Sequence, residues 1–215
     1  MEQTSYVREI AERLAPSNGP AGFADFFVAV LRELAKGRPA SQEVLAASLV
    51  WSPQRLAELL EYASSTEYDD DQNIVGYGIT LRQTAHAFEV DGRRLYTWCA
   101  LDTLMFPALL GRTASVFSRC ASTGAPITLS VAPHELRSVE PAGVVMSLLL
   151  PEPSRDIRRS FCCNVHFFVS AEESSDWPSK HPEIQIVGVG DAFRLGQDLA
   201  AQILSGVLTP SQRLG

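Results

Sequence analysis

The residues of this chain best suited to chemistry are its four cysteines, Cys99, Cys120, Cys162 and Cys163, and one acid, Asp102. Cys99 and Asp102 lie three apart in Tyr96-Thr97-Trp98-Cys99-Ala100-Leu101-Asp102. The adjacent thiols lie in Ser160-Phe161-Cys162-Cys163-Asn164-Val165-His166-Phe167-Phe168. Thiolates select soft, polarisable metals, whereas carboxylates and carbonyls suit hard ones. A carboxylic acid can deliver a proton to a leaving group. Two thiols and a carboxyl brought together from separate segments would make a soft-metal site with its own proton donor.

Local pattern separates the four thiols. A helix beginning at Ala100 to Asp102 would put Cys99 at its N-terminus, where a thiol's pKa is lowered. Asp102 would share its face. The same spacing equally suits an acid that merely complements the helix dipole. A strand over Phe161 to Val169 would send alternate side chains to opposite faces. Phe161, Cys163, Val165, Phe167 and Val169 would share a wholly apolar face, and Cys162, Asn164, His166 and Phe168 a mostly polar one. This predicts Cys163 in the core and Cys162 toward a polar pocket. A free cysteine is often a small buried hydrophobe, the reading expected of Cys163 and Cys120. A structural zinc site is disfavoured, because no Cys-x₂-Cys pair is present. His86, His134, His166 and His181 show no paired ligand spacing, and there is neither a Walker loop nor a nucleophile elbow.

Two regions would position these residues. Residues 1–85 read as a helical, winged-helix-like N-terminal region. Phe26, Phe27, Val30, Leu31 and Leu34 mark one helix face that Gly37 ends. Ser41 caps a helix over Gln42 to Leu49, and Ser52-Pro53 begins another. An acidic turn over Glu67 to Asn73 then leads to paired strands at Ile74 to Leu81 and Thr84 to Val90. Residues 86–215 read as an α+β catalytic core, a mixed β-sheet with flanking helices that carries the cysteines. Its expected strands are Leu95 to Trp98, Thr113 to Cys120, Ile127 to Val131, Val144 to Leu150, Phe161 to Val169 and Ile184 to Val187. Helices follow Cys99 and Gly190, the first made short, kinked or late by Pro107.

Composition bounds the rest. The 215 residues are 46% hydrophobic and 20% charged, an ordinary globular balance. Residues 1–80 hold six Lys and Arg against twelve Asp and Glu, nearly all of the chain's net charge of −7. The winged-helix outline therefore reads as a structural cap and not as a DNA reader, which would need a basic surface. The charged start, Met1 to Glu9, lacks the apolar core of a signal peptide. No apolar run approaches the roughly 18 residues that span a bilayer. The expectation is a cytoplasmic protein with reduced thiols and neither nucleic-acid nor membrane partners.

The longer motifs go further. They comprise Arg94-Leu95-Tyr96-Thr97-Trp98-Cys99-Ala100-Leu101-Asp102-Thr103-Leu104, Phe106-Pro107-Ala108-Leu109, Gly111-Arg112-Thr113-Ala114 and Cys120 with Thr123-Gly124-Ala125-Pro126. Val139-Glu140-Pro141-Ala142-Gly143 and Ser160-Phe161-Cys162-Cys163 with Val165-His166-Phe167-Phe168 continue the pattern. Upstream, Leu31 to Pro39 and Ser65 to Asp69 belong to it as well. Over about residues 23–200 the chain resembles the alkylmercury lyases, the organomercurial lyases of bacterial mercury resistance. The resemblance implies cleavage of a carbon–mercury bond to a hydrocarbon and Hg(II). It implies Cys99 and Cys162 as the essential thiols, Asp102 as the essential carboxyl, a structural Cys120 and a dispensable Cys163. It also implies no organic cofactor, mercury held by Cys99, Cys162 and Asp102 as substrate and product, and hand-off of Hg(II) to a mercuric reductase or cellular thiols. Two rival readings are a thiol-based metal-sensing regulator and a non-catalytic mercury-binding protein.

Overall fold

Short-range signals build the first helices. The computed structural model describes residues 6, 9–10, 12–14, 19–151, 156–180 and 183–207. The helical reading of residues 1–22 falls mostly outside them. Helix α1 (Phe23–Leu34) buries Phe26, Val30, Leu31 and Leu34. Helix α2 (Gln42–Leu49) is capped by the Ser41 hydroxyl, which accepts the Val44 N–H at 3.2 Å. Helix α3 (Pro53–Tyr62) starts likewise, with the Ser52 hydroxyl accepting the Arg55 N–H at 3.2 Å and proline in the first turn.

Eight strands follow that join one sheet. They are β1 (Glu67–Tyr68), β2 (Ile74–Tyr77), β3 (Ile79–Thr80), β4 (His86–Val90), β5 (Arg93–Thr97), β6 (Ala114–Arg119), β7 (Pro126–Ala132) and β8 (Glu135–Glu140), in the order β1-β2-β3-β5-β4-β6-β7-β8. A smaller sheet sets β9 (Val145–Leu149) between β10 (Phe167–Phe168) and β11 (Ile184–Gly188). The class is α+β. Where a mixed sheet is expected, every pairing among the described residues is antiparallel. Two of the pairs, β4–β5 and β7–β8, are joined by two-residue loops, which can join only antiparallel strands. Asp91-Gly92 between β4 and β5 is such a loop, with φ of 50° and 73°, the left-handed pair a type I′ turn needs. Strand β8, an edge strand, is missing from the sequence reading because its residues are mostly exposed and show no apolar alternation.

Helix α4 (Ala100–Leu110) is buried on nearly all sides and packs against α7 (Val189–Ser205). Gly196 permits the approach: a Cβ there would lie 3.3 Å from the backbone of Leu104 and Met105. Pro107 does not shorten α4. It lies in the last turn, just before Gly111 (φ 66°), and forfeits a single intrahelical bond.

The expected strand over Phe161 to Val169 is absent except at β10. Helix α5 (Ile157–Ser160) runs into a 3₁₀ turn at Cys162–Asn164. The N–H groups of Phe161, Asn164 and Val165 bond locally to the carbonyls of Ile157, Phe161 and Cys162, at 3.0, 3.0 and 3.2 Å, and so not to a neighbouring strand. A further short helix is α6 (Trp177–Lys180).

Candidate active site

Cys99 follows β5 and caps α4. Its backbone is extended, and its N–H donates to Asp102 Oδ2 at 3.1 Å, the carboxylate half of a capping box. The Thr97 hydroxyl donates to the Cys99 carbonyl at 2.9 Å, and the Trp98 N–H donates to the Gly78 carbonyl at 2.8 Å. Cys162 opens the 3₁₀ turn. That turn is pinned to the start of α4 by the Ala100 N–H, which donates to the Val165 carbonyl at 3.2 Å. The fully buried Ser147 of β9 closes it from the other side. Its hydroxyl donates to the Asn164 carbonyl at 2.8 Å and accepts the His166 N–H at 2.9 Å.

These constraints bring Cys99, Asp102 and Cys162 together. Their sulfur and carboxylate oxygen atoms all lie within 4.8 Å of one another, and all three residues are buried. Burial dominates the electrostatics. It pushes the Cys99 thiol well up, and the hydrogen bond with Cys162 and the nearby Asp102 charge push it further. The helix N-terminus does not produce the lowered pKa expected of Cys99, because desolvation of a fully buried sulfur outweighs it. For Cys162 the hydrogen bond with Cys99 pulls down, but burial with the charges of Asp102 and Cys163 prevails, and the net direction is up. Burial also raises the Asp102 carboxyl to about 7, against the bonds from Cys99 and the Trp98 backbone.

A raised carboxyl has a thermodynamic signature. The folded state keeps a proton that the unfolded chain releases between its ordinary carboxyl pKa and about 7. The stability contributed at low pH is therefore lost as pH climbs through that window and stays lost above it. Asp102→Asn, which keeps an acceptor for the Cys99 N–H, is expected to exceed wild type in stability at pH 8 by on the order of 1–3 kcal/mol. The difference should vanish near pH 4. Urea unfolding at both pH values checks this, and a pH-independent difference contradicts it.

Asp102 and Cys162 line a cavity of about 200 Å³, and the fully buried Cys99 lies behind them. Phe23, Tyr62, Tyr77, Trp98 and Phe161 supply aromatic walls, so α1 and α3 of the N-terminal region help to enclose the site. Tyr77 and Trp98 meet edge to face at 5.3 Å, as do Phe23 and Tyr62. Trp98 and Phe161 flank the two thiols in sequence; the other three walls come from elsewhere, and nothing in their local spacing marks them. The sequence reading also passes over Glu67 and Arg158. The Arg158 guanidinium lies 4.9 Å over the Trp98 ring, and Glu67 accepts the Trp98 indole N–H at 3.1 Å.

The strand-face argument sends Cys162 toward a polar pocket and Cys163 into the core, whereas the structure buries Cys162 beside Cys99 and Asp102, at an aromatic-walled cavity. Cys163 is exposed, since a 3₁₀ turn does not alternate sides as a strand does. Cys163→Ala should therefore keep turnover near wild type and stability within about 0.5 kcal/mol. Hydrocarbon release and thermal melting measure both, and a large loss of turnover in folded protein contradicts it. Cys120 is buried outside the cluster, with Sγ 3.2 Å from the Ser122 hydroxyl.

Comparison with known proteins identifies the family. The family model described as alkylmercury lyase, MerB, matches residues 79–201. An alkylmercury lyase of Pseudomonas putida is 57% identical over 204 residues, covering 95% of this chain and 96% of that protein. One from Streptomyces lividans is 41% identical, covering 96% of this chain and 98% of that protein. A solved structure described as the mercury-bound form of MerB2 shares the fold with a TM-score of 0.78 at 22% identity, covering 93% of this chain and 99% of that one. A buried thiol pair with its carboxyl, and near-full-length identity of this order, place the chain in the alkylmercury lyase family of enzymes.

Proposed function

We propose that the buried cluster carries out protonolysis of R–Hg⁺, with Cys99 and Cys162 as mercury ligands and Asp102 as proton carrier. The observation that supports this reading is the approach of the three ligand atoms to within 4.8 Å, beside an apolar cavity suited to the organic group. Mercury is the substrate's own atom and is soft, so thiolates are its natural ligands.

One thiol binds first and loses its proton, because a coordinated sulfur must be a thiolate. The Asp102 carboxylate, 3.1 Å from the Cys99 N–H, receives that proton. The second thiolate joins mercury and raises electron density on the mercury–carbon bond. The electron pair of that bond takes the proton from Asp102, R–H leaves, and Hg(II) stays between two sulfurs. Two thiol protons enter this sequence: one ends on carbon and the other passes to solvent. A carboxyl held near 7 is poised to accept and to donate at neutral pH.

The reaction draws only on the chain's own groups and needs no organic cofactor. Release of Hg(II) calls for an external dithiol, cellular thiols or a mercuric reductase as acceptor. No helix among the described residues is long and apolar enough to cross a membrane. We assign the protein to the cytoplasm, with organomercurials as partners and neither nucleic acid nor membrane.

Incubation with phenylmercury and excess thiol tests the reading. Catalytic benzene release supports it. Stoichiometric capture without benzene would make the protein a mercury binder, and sequence-selective DNA binding without benzene would make it a regulator.

A further inference from the structure

We propose that Glu67 is a positioning residue for the reaction: its buried carboxylate ties the segment carrying Cys99 to the segment carrying Cys162. The proposal rests on the reading of those cysteines as the thiols that share mercury. Glu67 is 7% exposed and does not line the cavity, so it acts through other groups.

Three donors from three segments converge on this carboxylate. Oε2 accepts the Thr80 hydroxyl of β3 at 2.5 Å. Oε1 accepts the indole N–H of Trp98, the residue before Cys99, at 3.1 Å. Oε1 also accepts Arg158, one turn before Cys162. Arg158 in turn lies over the Trp98 ring, and its charge draws the Cys162 thiol down.

The seat for the carboxylate is built. Gly76 of β2 lies beneath it, and a Cβ there would come within 2.4 Å of Glu67 Oε2 and 2.7 Å of the Thr80 hydroxyl. Thr80 is itself fully buried.

The tether also matches a need. Helix α5 has four residues, too few to hold a helix by its own hydrogen bonds. Two side chains from one short stretch anchor it: Glu67 holds Arg158, and the Ser65 hydroxyl donates to Asp156 Oδ1 at 2.8 Å. Glu67 alone of these also grips the Cys99 segment. Capture of R–Hg⁺ needs one thiol, whereas cleavage needs both at the same mercury. Loss of the tether should therefore reach kcat and leave KM nearly unchanged, since misplacement of about 1 Å can cost about 100-fold in rate.

Steady-state phenylmercury cleavage in excess thiol reads this out. Sites are counted as folded chains from the amplitude of the thermal unfolding transition, because mercurials also bind the exposed Cys163 and, in unfolded protein, every thiol. Glu67→Ala should lose about 10- to 100-fold in kcat, with KM within about threefold. Glu67→Gln keeps the shape and an acceptor and should recover part of that loss. Gly76→Ala, which displaces the carboxylate without removing it, should fall in the same direction. Should those variants fail to fold, Arg158→Met breaks the ion pair from a partly exposed position and should show the same split. Wild-type kcat per counted site overturns the proposal, and so does a rise in KM at constant kcat. Absence of benzene from the wild-type protein would instead overturn the lyase reading on which it rests.

Discussion

Cys99→Ser and Cys162→Ser are each expected to lower turnover by at least about a thousandfold, the scale on which loss of a reacting nucleophile acts. A serine hydroxyl is a hard, poorly acidic ligand that does not hold a soft cation. Position 99 makes the test clean. It is the N-cap of α4, where serine is among the best residues, so the substitution should not disturb the helix. Each variant retains one thiol of the pair. Each should still take up R–Hg⁺, seen as an adduct by mass spectrometry, while benzene release fails. Near-normal benzene from either variant would remove that cysteine from the mechanism.

Asp102→Asn should separate capture from cleavage even more directly. Both thiols remain, so mercury binds, but an amide has no acidic proton for carbon. General acid catalysis is typically worth about 10²–10⁴-fold, and a loss in that range is expected. Asp102→Ala should behave alike, with an added cost from the unpaired Cys99 N–H at the helix start. Adduct mass alongside hydrocarbon yield distinguishes a stalled thiol–mercury–R species from failed binding. Wild-type turnover by Asp102→Asn would assign the proton to a thiol or to water.

What the sequence makes legible here is local. Ser41 and Ser52-Pro53 announce their helices because a cap is made within one turn. Asp91-Gly92, which the sequence reading does not single out, is an equally local hairpin signal, because few residues tolerate two positive φ values in succession. Cys99 and Asp102 are readable together because one helix turn joins them. Cys162 is chosen by alternation on a strand that is not there; its place comes from the Ala100 and Ser147 bonds, which span distant parts of the chain. Glu67 shows the limit best. In sequence it opens an acidic turn and sits in the family-like stretch Ser65 to Asp69, with nothing to single it out, yet Thr80, Trp98 and Arg158 enclose it. Only the pairing of β1 to β2 and β2 to β3 puts its carboxylate over Gly76. The aromatic cavity is hidden for the same reason, since Phe23, Tyr62 and Tyr77 come from α1, α3 and β2.

The neutral state of the buried thiols has a consequence for survival under oxidative stress. Peroxides and disulfide exchange act on thiolates that solvent can reach. Cys99 and Cys162 are buried and held toward the neutral thiol, with Cys162 at the cavity wall, whereas Cys163, next in the chain, is exposed. Cys163 thus offers an oxidant a solvent-reachable sulfur outside the cluster. On the reading proposed above, these sulfurs give up their protons to a cation thiophilic enough to displace them. The pocket thus distinguishes a mercurial from a peroxide by acid–base energy as well as by shape.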